Sequence, residues 1–288
     1  MLFAALVAIV HAESAGTLPG RSSVLYAGPG VTTYGHLQTS GGVSDVPDAM
    51  QARLDIYTAL GLTERVQLAA YLPLVYSMAF ADACKGGCEP VIGVGHAGVQ
   101  ARVKALQDPL QLTAGLGVSS SAWLAPSRGR YTTVGEPTTD VQPALYVGRD
   151  VPLGKASGGL VLFGMYTWRL STWDSALSED APRDDVRGGV ELHVTTGPVT
   201  VMAGAWTLQR LGGAQFDFED PLFVEAFATD ERWAALDYDA VSVGGKLSVA
   251  LPKDMGLHIA LNRVAWVHNG PSDAMDVSLG VHKYFAAR

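Results

Sequence analysis

The sequence predicts an all-β protein: a transmembrane, antiparallel, up-and-down β-barrel of about twelve strands. Three observations carry that expectation. Short stretches alternate apolar with polar residues along most of the chain, and the links between them are alternately short and long. After the apolar N-terminus there is no continuous apolar run of about 18 residues, the length a membrane helix needs.

The last regular stretch, Met275 to Phe285, shows the alternation best. Met275, Val277, Leu279, Val281 and Phe285 share one side of a strand, and Asp276, Ser278, His282 and Tyr284 share the other. A soluble sandwich would bury the apolar side in a core. A membrane barrel turns it to lipid and wets the polar side.

Strands are expected at 31–40, 50–61, 65–78, 93–106, 110–123, 138–150, 159–172, 185–196, 199–211, 238–251, 257–268 and 274–285. Most are long for globular strands and suit the roughly 9–11 tilted residues that cross a bilayer. Short links at 62–64, 107–109, 152–158, 197–198 and 252–256 carry Gly, Pro and Asp, which tight turns require. Long links are expected at 41–49, 79–92, 124–137, 173–184 and 212–237, with the brief 269–273 as the exception. Outer-membrane barrels sort their connections this way, with short periplasmic turns and longer external loops.

Face chemistry agrees. Leu54, Ile56 and Leu60 alternate with Arg53, Asp55 and Tyr57, and Val99, Ala101 and Val103 alternate with Gln100, Arg102 and Lys104. Val190, Leu192 and Val194 oppose Glu191, His193 and Thr195; Val243, Leu247 and Val249 oppose Ser242, Lys246 and Ser248. A barrel of this size is too wide for Val and Leu alone to fill, so the charges belong inside with water. The pore-lining candidates are Arg53, Asp55, Arg102, Lys104, Arg187, Glu191, His193, Lys246, Asp276 and His282. They either ring a constriction that selects ions or pair across the lumen and stiffen it. Lys283 falls on the lipid side, near its interface. Tyr71, Tyr76, Trp123, Trp168, Trp173, Trp266, Tyr284 and Phe285 lie near strand ends, as interfacial girdles do.

Composition narrows the function. The 288 residues carry a formal net charge of −8 with Lys and Arg scattered singly, so no basic face is available for nucleic acid. Charge is sparse at 17%, Gly numbers 33, and mean hydropathy is +0.18. Residues 1–12 read as a signal peptide, an apolar run closed by Val10-His11-Ala12, although no Lys or Arg precedes the run. The mature chain would begin at about Glu13; a start placed too far downstream would explain the missing charge. The competing reading is a buried strand or helix.

Cys84 and Cys88, the only 2 cysteines, are candidates for a disulfide shaping a tight loop, or remain as two thiols. The 7 histidines include no His-Glu-x-x-His motif. The nearest approach to a hydrolytic pair is His193-Val194-Thr195, so no catalytic residue is assigned, and neither a metal nor a cofactor is expected. Segment 212–237 interleaves Asp217, Glu219, Asp220 and Glu225 with Phe216, Phe218, Phe223 and Phe227. It is read as an acidic external cap or as a gate folded into the mouth.

Gly61-Leu62-Thr63-Glu64-Arg65-Val66-Gln67-Leu68 resembles a recurring turn in a family of outer-membrane barrels named after the meta-pathway of phenol degradation. The family turn carries Asp where Glu64 stands and an acidic residue where Gln67 stands. Tyr284-Phe285 resembles the C-terminal aromatic signature read by the barrel assembly machinery, although Ala286-Ala287-Arg288 follow it here. The resemblance implies residence in a Gram-negative outer membrane and passage of small solutes, hydrophobic ones included. It supplies no catalytic residues. Expected partners are outer-membrane lipids, small-molecule solutes and the assembly machinery. The alternatives are an outer-membrane hydrolase and a closed structural barrel.

Overall fold

A computed structural model describes residues 15–39, 41–79, 90–120, 138–171, 183–213 and 237–286. The strands are β1 (Ser23–Thr39), β2 (Gly42–Gly61), β3 (Val66–Ala79), β4 (Val91–Val94), β5 (Ala97–Leu106), β6 (Gln111–Ser120) and β7 (Thr138–Leu153). They continue as β8 (Ala156–Ser171), β9 (Asp185–Thr196), β10 (Val199–Arg210), β11 (Asp239–Leu251), β12 (Met255–His268), β13 (Gly270–Pro271) and β14 (Met275–Phe285). Of the 14 strands, β4 extends the lane of β5 along β3, and β13 meets the outer end of β1. The other twelve pair antiparallel in sequence order. The wall closes where β1 pairs with both β14 and β2, so no strand edge is left for lipid.

The two faces follow the alternation. Leu54, Val99, Leu192, Leu247 and Leu279 are exposed on the outside, and Arg53, Arg102, Glu191, Lys246 and Asp276 are buried within. In water this would be an inverted protein. In a bilayer the outer face touches hydrocarbon and the inner groups find one another or water.

Tight turns gather at one end, beside both ends of the wall. Gly154-Lys155 and Gly197-Pro198 join their strands with two residues each, and Gly154 and Gly197 take positive φ (69° and 53°), open to glycine without strain. Trp168 and Trp266 stand exposed on the outer face toward the opposite end. Tyr71 does not join them: it turns inward, and its hydroxyl donates to Asp55 (2.8 Å). Tyr284 also faces inward, lining a lumenal cavity. Lys283 is held at the turn end, its ammonium donating to the Lys253 carbonyl and lying 5.7 Å from the Phe285 ring centroid.

Two expectations are corrected. β1 begins at Ser23 rather than near 31, because Gly28-Pro29-Gly30 is accommodated within it. The ladder to β14 passes from Ala27↔Val281 to Gly30↔Ser278 across Pro29, which has no N–H to donate. A Cβ on Gly28 would meet the Leu279 carbonyl at 2.3 Å, so glycine is required by the close approach of β14. The expected loop 41–49 is instead strand. β2 starts at Gly42 opposite Thr39, and the positive φ of Gly42 (124°) supplies the reversal.

The strand expected at 93–106 is interrupted at Gly95-His96, and the one expected at 110–123 is strand over Gln111–Ser120. The signal 1–12, the Cys84–Cys88 pair, Trp123, Trp173 and the loop residues Asp217, Glu219, Asp220 and Glu225 lie outside the described residues.

Candidate functional site

The lumen is organised in charge clusters. Arg53 on β2 reaches across β1 to β14. Its guanidinium donates to Asp55 (2.9 Å), to both oxygens of Asp276 (3.0 Å to Oδ1) and to Thr32 Oγ1 (3.0 Å). Thr32 in turn donates to Asp276 (2.7 Å), and Tyr71 completes the set on Asp55. Nearer the outer end, Asp185 accepts from Arg187 (2.8 and 3.1 Å) and from Arg169. Each carboxylate is therefore met by guanidinium donors where it is buried and unpaired charge would be costly.

Glu191 on β9 is buried and accepts the indole N–H of Trp206 (3.1 Å). His193 has Asp150 at 3.3 Å, while the Thr195 hydroxyl pairs with Thr200 (2.9 Å). Lys104 sits half-buried on the inner face of β5, and Lys246 is buried on that of β11. At the outer end Leu208, Tyr238, Ala240, Val264, Val267 and Ala274 pack as an apolar cluster, with Tyr34 against it. Among the described residues no group of His, Cys, Asp and Glu gathers as a metal site.

Arg102 differs from the other lumenal arginines. Its Nε donates to Gln100 (2.7 Å), one terminal nitrogen donates to the Tyr146 hydroxyl (3.3 Å), and the guanidinium lies 4.4 Å from the Tyr146 ring centroid. Among the described residues no carboxylate forms an ion pair with it.

Residues 15–22 do not join the wall. They enter its turn end and form a floor. Ala15 is buried against Tyr146 and Val161, and its carbonyl accepts from Thr113. The Leu18 amide donates to Gln67 Oε1 (2.8 Å), the Gly20 amide to Glu64 Oε1 (3.0 Å), and the Thr17 hydroxyl to the Glu64 carbonyl (3.1 Å). The Arg21 amide reaches the Gly61 carbonyl (2.6 Å). A Cβ on Gly61 would fall 2.2 Å from the Pro19 carbonyl, so only glycine lets the segment lie this close. The turn 61–68 singled out in the sequence is thus a clasp for the N-terminal segment, and Glu64 and Gln67 are two of its acceptors.

Above the floor lies a cavity of about 390 Å³, bounded by Gly16 to Pro19, by Tyr26, Tyr57 and Tyr284, and by Gln67, Arg102, His258 and His282. Tyr26 stacks on His258, centroids 5.0 Å apart and planes 12° apart.

Of the pore candidates, Arg53, Asp55 and Asp276 come together, Arg102 and His282 meet at the cavity, and Arg187 belongs to the Asp185 cluster. In the first and last groups opposite charges pair along the wall, within a strand or between strands close in the sheet, and not across the lumen. Sequence reasoning missed Thr32, Tyr146, Arg169, Asp185 and the floor residues. Thr32, Tyr146 and Arg169 carry alternation that would place them inward. The floor carries no periodic signal.

The closed antiparallel wall, apolar outside and charged within, defines an outer-membrane-type β-barrel. Comparison with solved structures gives the same fold. The COG4313 outer membrane channel from Pseudomonas putida F1 aligns over 95% of this chain and 98% of that one, with 17% identity and a TM-score of 0.70. LpxR from Salmonella typhimurium aligns over 91% and 100% (10% identity, TM-score 0.52). The NanC porin aligns over 90% and 98% (12% identity, TM-score 0.50). No family model matches the chain, and no curated protein matches it in sequence.

Proposed function

We propose that the protein is a channel of the Gram-negative outer membrane that passes small solutes without a cofactor. The observation that carries this reading is the lumen itself. A wall that closes on charged and hydrogen-bonding side chains, with a cavity of about 390 Å³ still open between them, is suited to wet cargo. The likeness to an outer membrane channel and to a porin supports it. The resemblance of the 61–68 turn to the meta-pathway family points the same way and extends the cargo to hydrophobic solutes.

The hydrolase reading is weaker on geometry. Thr195, the hydroxyl set beside His193 in the sequence, pairs with Thr200. The closed structural barrel is the reading to beat, because residues 15–22 lie inside the turn end of the wall. Full-length mature protein in planar bilayers separates the two. Stepwise conductance supports the channel, and a barrel that is folded by heat-modifiable gel mobility yet electrically silent rejects it.

A further inference from the structure

Two arginine groups in the lumen are neutralised in place: Arg53 has Asp55 and Asp276, and Arg169 and Arg187 share Asp185. Among the described residues Arg102 has the neutral partners Gln100 and Tyr146 and no ion pair. Glu191 lies near enough to attract it but outside ion-pair contact, and one Glu191 oxygen is taken by Trp206. Among the described residues no aspartate or glutamate lines the cavity that Arg102 faces.

On the opposite wall stands His258, 2% exposed, with neither ring nitrogen in a hydrogen bond. Both nitrogens are closed off from solvent as well, so the ring lines the cavity without offering it a nitrogen. His282 lines the same wall, and Lys246 brings a second cation within electrostatic range of both imidazoles. The rest of the lining is apolar or aromatic: Leu18, Pro19, Val24, Tyr26 and Ala59. The volume falls within the range of small-molecule pockets, which runs from roughly 300 Å³ upward.

We propose that this cavity is a binding station for a small organic carboxylate in transit, its carboxylate held by Arg102 and its carbon body against Leu18, Pro19 and Val24. The guanidinium donates to the carboxylate oxygens. Such charge-assisted bonds are stronger than those between neutral groups. An inorganic oxyanion would satisfy the donors but leave the apolar part of the lining without a partner. The proposal rests on the channel reading, since it names the cargo of that lumen.

The test is isothermal titration of the full-length mature barrel, folded in detergent, with hexanoate and separately with inorganic phosphate. Saturable hexanoate binding is expected, with phosphate much weaker. Arg102→Gln should weaken hexanoate by about tenfold or more, the scale of one lost charge-assisted pair. Arg102→Lys should recover part of the loss.

A folded wild-type barrel that gives no hexanoate isotherm overturns the proposal. So does unchanged affinity in Arg102→Gln, or phosphate binding as tightly as hexanoate. Should Arg102→Gln fail to fold, Arg102→Lys decides: a weakened hexanoate isotherm supports the station, and unchanged affinity overturns it. Conductance is read separately: binding in a silent barrel rejects the channel alone, and conductance without binding rejects the station alone.

Discussion

Arg53 shows how single residues in this lumen hold distant parts of the chain together. Its contacts to Asp276 join β2 to β14 over the top of β1, at the place where the barrel closes. Removing one partner of a buried ion pair leaves the other charge uncompensated, which costs about 3–5 kcal/mol in protein interiors. Asp276→Ala should therefore lower stability by about 3 kcal/mol, the low end of that range, because Asp55 remains on Arg53. The unfolding midpoint in urea, followed for barrels inserted in liposomes, checks the value; an unchanged midpoint would show that water already carries the charge. Alternation alone places Arg53, Asp55 and Asp276 on the inner face. It does not say that they touch, because the meeting depends on the relative register of strands more than two hundred residues apart. Arg102 was equally legible as lumenal, yet its want of a carboxylate partner emerges only once its neighbours are placed.

Elements were legible to the extent that their pattern repeated. β14 reads from the sequence as it stands in the barrel, with Leu279 exposed near its middle. Arginine at the midplane of a barrel's lipid face costs roughly 2–4 kcal/mol. Leu279→Arg should show a loss of that size in the same urea titration, whereas a loss near zero would place this face against water.

The outer part of β1 and β2 was not legible. Gly41-Gly42 and the Ser44-to-Asp48 run carry turn residues, and only pairing with β1 makes strand of them. β1 is also fastened to the 272–274 link by Asp273, which accepts from the Gly35 and His36 amides (3.1 and 3.0 Å) and meets His36 Nδ1 (2.9 Å). Partial burial pushes the Asp273 carboxyl up, but the His36 bond and the two amides outweigh it and hold it below its ordinary value. A carboxyl lowered in the folded state adds stability above its unfolded value and loses it as pH falls through the folded one. The latch should accordingly hold across neutral and mildly acidic pH and release only in strong acid. Hydrogen exchange reads this directly. The Gly35 and His36 amides should be protected at neutral pH, lose protection in strong acid, and lose it at neutral pH in Asp273→Asn.

At the scale of the whole molecule the barrel is a wall with a floor. The wall follows from alternation and closure, and its outer face needs only a bilayer to be stable. The floor, residues 15–22, was invisible in the sequence because an extended segment lying inside a lumen has no face to repeat. Its fastenings include Thr113 on the Ala15 carbonyl, Gln67 on the Leu18 amide, and the 61–64 turn on Thr17, Gly20, Arg21 and Ser22. A single hydrogen bond contributes about 1 kcal/mol net, so removing two shifts a held segment toward release by roughly one to two powers of ten. Gln67→Ala combined with Thr113→Val removes one side chain from each end of the floor without touching the wall's ladders. If the floor narrows the path, this variant should conduct with larger or more frequent open steps in planar bilayers than the parent barrel. Its heat-modifiable mobility should stay unchanged. Identical conductance in parent and variant would mean that the segment stays in place without these bonds or lies outside the conducting path. A lower conductance would contradict the obstruction directly.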